Sequence, residues 1–548
     1  MFIKKYTSLE EIQMTNKIYD VVQIGYGPVG QTMAALLGKT GQSVAVFERW
    51  PSTFSLPRAA AFDHEIMRVL QGIGCAEKIE EKVVPFIRYH WVNAKREILL
   101  DLPYGGVAAS GWENGYLMFQ PDVERALDEA ARSYPNIELN LGWQAEEITE
   151  HKDYVEVTFR KGEIPEPGKW VATNETRTVR ARYVVGADGA NSFTRNKFDI
   201  KTKDLGFEAE FLVVDIRPND PQILYHLPEG YQVCDPARPT TVVSRLGNEH
   251  IRFEFMLLPG EKKEDMLDLE KIHELTKEWI LPEEGTIIRK IVYRFNSNIA
   301  ENWQNNRVFL IGDAAHVTPP FMGQGMCSGI RDAKNLAWKL DLVLRDKAEE
   351  SLFESYQVER YDHCKTLIDM AIELGKIICI PDEKEAEKRD QAFFSGNIPP
   401  FPEMPILTNG ILHKNQNGEI LSPTGELSLQ DFVSYQGKTG RFDDIIGQGW
   451  TIISTKADPR DVLTNNQIAL LEQIDVKIVH ISNEENMDTV YDLNGKYAAY
   501  FNEKGLDAVI VRPDFYTFAG VPTLEELPGV VDDLLSQLHL KVSEELNV

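Results

Sequence analysis

Hydrophobic positions along this chain change their period several times, and each change marks an element. From Ile18 to Ile24 apolar residues dominate, the pattern of a strand buried on both faces. Gly25-Tyr26-Gly27-Pro28-Val29-Gly30 interrupts the run, Gln31 to Lys39 takes up a helical spacing, and a second strand is expected from Ser43 to Phe47, ending at Glu48. Together these predict one βαβ unit. From about Val83 to Gly115, and again from about Leu205 to Pro259, alternating or aromatic-rich runs predict an antiparallel sheet inserted between pieces of the first fold; Phe211-Leu212-Val213-Val214 and Ile251-Arg252-Phe253-Glu254-Phe255 are examples. A buried strand returns at Arg307 to Ile311, followed by a glycine-rich turn and a long helix from Ser328 to Leu344.

Between Phe394 and Thr424 the chain is rich in Pro, Asn and Gly and has little periodicity, which predicts a domain boundary. Beyond it, strands at Trp450 to Ile453, Val476 to Ile481 and Ala508 to Val511 alternate with helices near Asn465 to Glu472 and Leu524 to Leu538, the signature of a small separate α/β domain. The expected division is a tail over 1–17, a main domain over 18–397 with its sheet at about 83–119 and 205–285, a linker over 398–424 and a C-terminal domain over 425–548.

Composition narrows the function classes. The 548 residues are too many for one ordinary core. Eighty-five acidic residues against 58 basic ones give a net charge of -27, which repels nucleic acid and anionic membrane surfaces. No apolar run approaches the roughly 20 residues of a membrane-spanning helix, and the stretch from Met1 to Asn16 lacks the apolar centre of a signal peptide. The five cysteines, Cys75, Cys234, Cys327, Cys364 and Cys379, are scattered, so neither a metal site nor a redox pair is expected and a reduced, cytoplasmic setting fits.

Three motifs carry candidate chemistry. Gly25, Gly27 and Gly30 sit where a tight turn, a close approach of backbone to a pyrophosphate and a close helix packing each exclude a side chain, and Glu48 follows at the distance of a ribose-binding acid, so the unit predicts a dinucleotide site. Val184-Val185-Gly186-Ala187-Asp188-Gly189 runs a strand into a turn that displays Asp188, either toward a ligand or as a local helix cap. Ile311-Gly312-Asp313-Ala314-Ala315-His316 continues through Pro319 and Pro320 to Gly323-Gln324-Gly325-Met326; Asp313 suits a polyol, and the two later glycines let amides approach a flavin ring and stabilise its negative charge when reduced.

In this order and at these separations the motifs resemble the class A flavoprotein monooxygenases, the family of the aromatic hydroxylases, over about Tyr19 to Met370. Pro57-Arg58-Ala59, Phe119-Gln120-Pro121-Asp122-Val123, Cys234-Asp235-Pro236-Ala237-Arg238-Pro239, Arg252-Phe253-Glu254-Phe255-Met256 and Gly329-Ile330-Arg331-Asp332-Ala333 extend the likeness to the branch of the 3-(3-hydroxyphenyl)propionate and phenol hydroxylases. The resemblance implies an α/β fold with a Rossmann-type FAD-binding domain and an inserted antiparallel-sheet substrate domain. The tail from about Gly447 to Leu538, with Val511-Arg512-Pro513-Asp514, resembles the thioredoxin-like domain of that branch and holds no cysteine.

By the same resemblance the chain is an enzyme of aromatic catabolism that uses NADPH or NADH and O2 to hydroxylate a phenol through a flavin C4a-hydroperoxide. FAD would be held by Gly25, Gly27, Pro28, Val29, Gly30, Glu48, Arg49, Arg58, Gln120, Asp188, Asp313, Gly323, Gly325 and Met326, with Arg58 toward the pyrophosphate and Gln120 toward the flavin. Pro319 and Pro320 would lie beside the reactive edge of the ring; His316 is a candidate acid or base, or a packing residue. Tyr225, His226, Arg245 and Arg252 of the sheet are candidates to orient the substrate, and His64, after Asp63, departs from the consecutive acids of the branch. Other readings of the residues are a hydroxylase of a larger polycyclic or antibiotic-like phenol, or of a nitro- or halophenol, and a flavin redox sensor that hydroxylates nothing. A homodimer is compatible with a folded appendage that supplies an interface.

Overall fold

A computed structural model describes residues 17–53, 56–166, 168–485 and 489–541; the expected tail, save Lys17, lies outside them. The chain forms two compact units, one from residues 17–53, 124–205 and 298–317, the other from 56–123, 206–297 and 318–541.

The first unit is built on a parallel sheet. Its strands run in the order Val308–Leu310, Lys169–Gly186, Ile18–Ile24, Val44–Glu48, Ile137–Leu141, with the two-residue strand Gln304–Asn305 antiparallel at one edge. Tyr19, Val22, Ile24, Ala45 and Phe47 pack with Val155, Val157 and Phe159 of a long antiparallel hairpin, which explains why the central strands read as nearly continuous apolar runs. The helix begins at Pro28, three residues before the expected Gln31, because Gly27 in extended conformation serves as its N-cap and Pro28 as its first residue.

The second unit holds the inserted sheet. Seven neighbouring strands follow the order Gly285–Ala300, Thr202–Pro218, His250–Met256, Thr240–Leu246, Gly230–Val233, Arg88–Val92, Ile98–Pro103. From Thr202–Pro218 to Ile98–Pro103 the pairing is antiparallel as expected except between Gly230–Val233 and Arg88–Val92, which run parallel; the 137 residues between Val92 and Gly230 supply the long crossover that such a pair needs. Leu212, Val214, Ile251, Phe253 and Phe255 turn one face of this sheet onto Met266 and Ile272 of the helices Lys263–Met266 and Leu269–Thr276.

The C-terminal region carries a seven-stranded sheet in the order Lys438–Arg441, Phe432–Tyr435, Val490–Asp492, Lys477–Ser482, Thr451–Ser454, Ala508–Val511, Thr517–Val521, with a core of its own. The stretch before it has neither helix nor strand from 395 to 431, yet Leu407, Ile411 and Leu412 are buried in it. Buried ion pairs bind this region to the rest of its unit. Arg512 grips both carboxylate oxygens of Glu359 at 3.0 and 2.6 Å and pairs with Asp514, while Lys339 meets Glu359 at 2.6 Å. Arg68 makes a two-pronged pair with Asp443, 2.9 Å on each arm. Burial alone would push the Glu359 carboxyl up, but Arg512 and Lys339 outweigh it and hold it at about 2.

Two outcomes follow from this network. Arg512→Leu leaves Glu359 and Asp514 buried without their partner and is expected to cost about 3–5 kcal/mol in urea denaturation. Because the folded Glu359 carboxyl lies below its ordinary 4.5, its stabilisation is complete above that pH and is lost as pH falls toward about 2, so Glu359→Gln flattens the acid limb of the stability profile.

Candidate functional site

In the first unit the glycine turn is shaped by backbone contacts. Gly25 has φ +102, donates to Phe47 O at 2.8 Å, and a Cβ on it would run into the carbonyl oxygen of Ala187. A Cβ on Gly30 would collide with Gly25 O, and buried Gln23 ties both carbonyls together through its Nε2, at 2.8 and 2.9 Å. Gly27 differs: a Cβ there meets nothing within 4 Å. The helix from Pro28 has no side-chain cap and no acid in its first turn, so its leading amides have no competing anion. Val29 packs against Gly312, the left-handed start of the Gly312–Ala314 turn that exposes Asp313.

Glu48 stands at the end of its strand with both oxygens engaged, one accepting from Tyr26 N at 2.8 Å and the other from Trp50 N at 3.0 Å. Each oxygen keeps a further lone pair, so the carboxylate is oriented and still able to accept. Arg49 is exposed beside the Trp50 ring. Asp188 braces the turn before the short helix Phe193–Lys197, whose N-cap is Ser192: it accepts from Ser192 Oγ at 2.5 Å, from Thr194 N at 2.8 Å and from Thr194 Oγ1 at 3.0 Å. Burial pushes its carboxyl up, and these bonds pull it back only in part. His316 is buried and stacked on Trp303, 5.1 Å between ring centres.

In the second unit Pro320–Met322 forms a single turn closed by Gly323 at φ +64, and the helix Gly325–Leu344 starts directly after it, three residues before the expected Ser328. A Cβ on Gly323 would meet nothing within 4 Å, and on Gly325 only Thr318 Cβ at 3.9 Å, so the amide-bearing edge of the turn is open. Met326 on the first turn of that helix is half-buried. Gln324 holds the turn: its Oε1 accepts from Arg331 at 2.8 Å and its Nε2 donates to Asp63 at 3.2 Å. Buried Arg331 also pairs with Asp63 and with Glu65, and Asp63 caps the helix His64–Gly72. His64 meets Ser110 Oγ at 3.0 Å, and burial lowers its pKa.

Gln120 is buried, and its Oε1 accepts from the amides of Arg58 and Ala59, which leaves the Arg58 side chain exposed while its backbone is fixed. The carbonyls of the same segment are held by Arg252, which donates to Arg58 O and Pro57 O, and by Arg289, which donates to Pro57 O. Asp215, fully buried, neutralises Arg252 at 2.8 and 3.1 Å; burial raises its carboxyl, but Arg252 and His250 bring it below the usual range.

The structure does not bring the four expected substrate residues together. Arg252 is 2 % exposed and spends its donors on Asp215 and backbone, so it acts as a strut. Tyr225 is 52 % exposed and bonded to Asn248, with Arg245 over its ring and His226 exposed beside it. Asp215, Arg289, Gln324 and Arg331 were not singled out as site residues by sequence reasoning because each has a partner 37 to 268 residues away in the chain.

A sequence profile described as "FAD binding domain" matches residues 18–371, and one described as "HcaD C-terminal domain" matches 425–537. A Rhodococcus jostii (strain RHA1) protein named "Probable NADH-specific resorcinol 4-hydroxylase" is 35% identical over 95% of both chains. An Escherichia coli O139:H28 protein named "3-(3-hydroxy-phenyl)propionate/3-hydroxycinnamic acid hydroxylase" is 29% identical over 94% of this chain and 95% of that one. Among solved structures, aklavinone-11 hydroxylase with FAD and aklavinone superposes with TM-score 0.76 at 21% identity, over 95% of this chain and all of that one. The flavin-dependent monooxygenase PieE, with FAD and substrate, has TM-score 0.78 at 20% identity over the same shares.

The glycine geometry separates two substitutions. Gly25→Ala is expected to cost more than about 3 kcal/mol or to abolish folding, since strain at positive φ and the clash with Ala187 add. Gly27→Ala, into open space, leaves the thermal midpoint of the apoprotein within a few degrees of wild type; differential scanning calorimetry compares them.

Proposed function

Because this chain belongs to the class A flavoprotein monooxygenases, FAD enzymes that hydroxylate aromatic rings with NAD(P)H and O2, we propose that its substrate is a small phenol of the resorcinol or 3-hydroxyphenyl-acid type and that NADH is its reductant. Both end-to-end relatives carry names of that chemistry, which sets the polycyclic, nitrophenol and sensor readings behind it. The observation that carries the reading lies in the second unit: Phe321, in the turn before the open glycines, packs edge-on against Phe207 and Phe211 of the inserted sheet, 5.3 and 6.1 Å between ring centres. A turn fit for a flavin edge and an aromatic-lined sheet face therefore adjoin.

The residues present fit FAD. The open Cβ position of Gly27 and the uncapped helix would receive the pyrophosphate, Glu48 the ribose, and Asp313 the polyol, while Pro28, Val29 and Gly30 shape that turn. The amides about Gly323, Gly325 and Met326 would face the ring and favour its anionic reduced form, and Arg58 and Gln120 would line its approach. When bound, the flavin supplies two-electron transfer from the nicotinamide and the activation of dioxygen. The chain supplies placement: Gln324, Arg331 and Asp63 fix the turn, Arg252, Arg289 and Gln120 fix the Pro57–Ala59 backbone, and the phenylalanines exclude water from a bound aromatic. Asp188 and His316 are assigned as supports, a brace on its turn and a packing ring, and Pro320 as part of the wall beside the reacting ring.

We also read the first unit as Rossmann-type, from its parallel strand order, and the 425–541 region as thioredoxin-like. In the latter Lys477–Ser482 and Thr451–Ser454 are parallel and the two following strands antiparallel, in the order 477–482, 451–454, 508–511, 517–521, with helices Asn465–Gln473 and Leu527–Gln537. No helix of the described residues is long and apolar enough to cross a membrane, and a cytoplasmic location is our expectation.

Purified protein with FAD is expected to oxidise NADH faster than NADPH, with the rate raised at least tenfold by resorcinol or 3-(3-hydroxyphenyl)propionate and one oxygen atom gained by the product in mass spectrometry. Stimulation by neither compound sinks the substrate class. Gly27→Ala is expected to weaken FAD retention by tenfold or more, about 1.4 kcal/mol, in an equilibrium titration.

A further inference from the structure

Glu254 is the unassigned group that stands out on the inserted sheet. Phe253 and Phe255 on either side of it enter the core that faces the helices, so Glu254 points to the opposite face. Register places it in a cross-strand row with Val213 on one side and Thr241, then Gln232, on the other. On the Val213 strand the same face carries Phe211, whose ring meets Phe295 at 5.2 Å and Phe321 of the Pro320–Met322 turn at 6.1 Å. The carboxylate therefore shares its face with the aromatic cluster that adjoins the candidate flavin turn.

The polar neighbours of Glu254 have other commitments. Arg252, two residues before it, is engaged with Asp215 and with the carbonyls of Pro57 and Arg58, and Arg289 with Pro57. Thr241 donates to Gln232 Oε1 at 2.9 Å, and Tyr89 donates to the same atom at 3.1 Å. None of the hydrogen bonds or ion pairs found among the described residues reaches the Glu254 carboxylate, which is half-buried. An acid in such a place, half-buried and without a hydrogen bond or close ion pair of its own, keeps the capacity to accept a hydrogen bond from a ligand.

We propose that Glu254 is the catalytic base of this enzyme: it accepts the hydroxyl hydrogen of the phenolic substrate and takes its proton, so that the ring is attacked as the more electron-rich phenolate. The proposal rests on the hydroxylase reading above. In this step the phenol O–H bond breaks with its electron pair left on oxygen, and a Glu254 Oε–H bond forms. The proton returns when the product hydroxyl is restored, and no oxidant or reductant enters the exchange. The groups facing Glu254 fit the task. Burial raises its carboxyl and Asp215 raises it further, against the pull of Arg252 and Arg289, so its affinity for a proton is shifted toward that of a useful base. Its charge in turn helps hold the Tyr89 hydroxyl protonated.

The test uses full-length protein loaded with FAD, as wild type, Glu254→Gln and Glu254→Asp, each first checked for flavin content and thermal midpoint. In steady state with resorcinol, Glu254→Gln is expected to lose about 10²–10⁴-fold in kcat of hydroxylation with little change in KM. Glu254→Asp is expected to recover part of that loss. The residual rate of Glu254→Gln should climb with pH toward the phenol's own ionisation, where wild type has levelled. A wild-type kcat and pH profile in Glu254→Gln overturns the proposal while leaving the hydroxylase reading intact. Independently of turnover, the ultraviolet difference spectrum of resorcinol bound to the oxidised proteins should carry a phenolate band in wild type that is lost in Glu254→Gln. An unchanged band overturns the proposal, and this arm decides it even if no phenol is turned over and the hydroxylase reading itself fails.

Discussion

Buried guanidinium groups that grip irregular backbone are the interaction on which the second unit depends. A segment such as Pro57-Arg58-Ala59 belongs to no strand or helix, so its amides and carbonyls have no ladder to satisfy them. Gln120 supplies the acceptor for two of the amides, and Arg252 and Arg289 supply the donors for the carbonyls. A guanidinium suits this duty because its planar fork offers five donors at fixed angles. Its burial is costly, and Asp215, with no exposed surface, offsets that cost at the centre of the cluster.

The same device recurs where loops meet helices. Arg331 spans Asp63, Glu65 and Gln324, so the start of one helix, the cap of another and the glycine turn form one rigid piece. Arg512, Glu359, Lys339 and Asp514 do the equivalent for the C-terminal sheet, and Ile411 in the strand-free stretch before it joins through both its amide and its carbonyl. Replacing such a cluster by apolar residues could match its stability, since charge burial is a poor source of net free energy. What apolar side chains cannot do is bind backbone polar groups in loops. That distinction explains why the clusters stand at loop segments, while the sheet interiors are filled by Val, Ile and Phe.

Much of this architecture was legible in the sequence because its signals are local. The Ile18–Ile24 strand, the glycine turn and the acid at Glu48 lie within 31 residues, and each constraint acts between chain neighbours. The helix starts at Pro28 and Gly325 were placed late, since a glycine or glutamine N-cap gives a weaker signal than Ser or Asp. The substrate face was harder. In His250–Met256 both faces carry large side chains, Phe253 and Phe255 on one, Arg252 and Glu254 on the other, so alternation gives the period but not which face meets the helices. Tyr225, His226 and Arg245 suited a substrate by chemistry and lie together on the surface; Arg252 suited it too and is a strut, a role set by partners 37 and 195 residues away.

Strand register forces position 254 onto the aromatic face, but it does not force an acid there. Val213 and Thr241, its cross-strand neighbours, show that apolar and neutral polar side chains fit the same row. Glutamate at this place is costly: it is half-buried, it has Asp215 as a like charge nearby, and the guanidinium groups within electrostatic reach are bonded elsewhere. A structural acid would have been paired, as Glu359, Glu65 and Asp443 are paired in the same unit. An unpaired one lowers its cost by binding a proton or by receiving a hydrogen bond from a ligand, and the phenylalanine rings beside it favour a ligand that is itself aromatic.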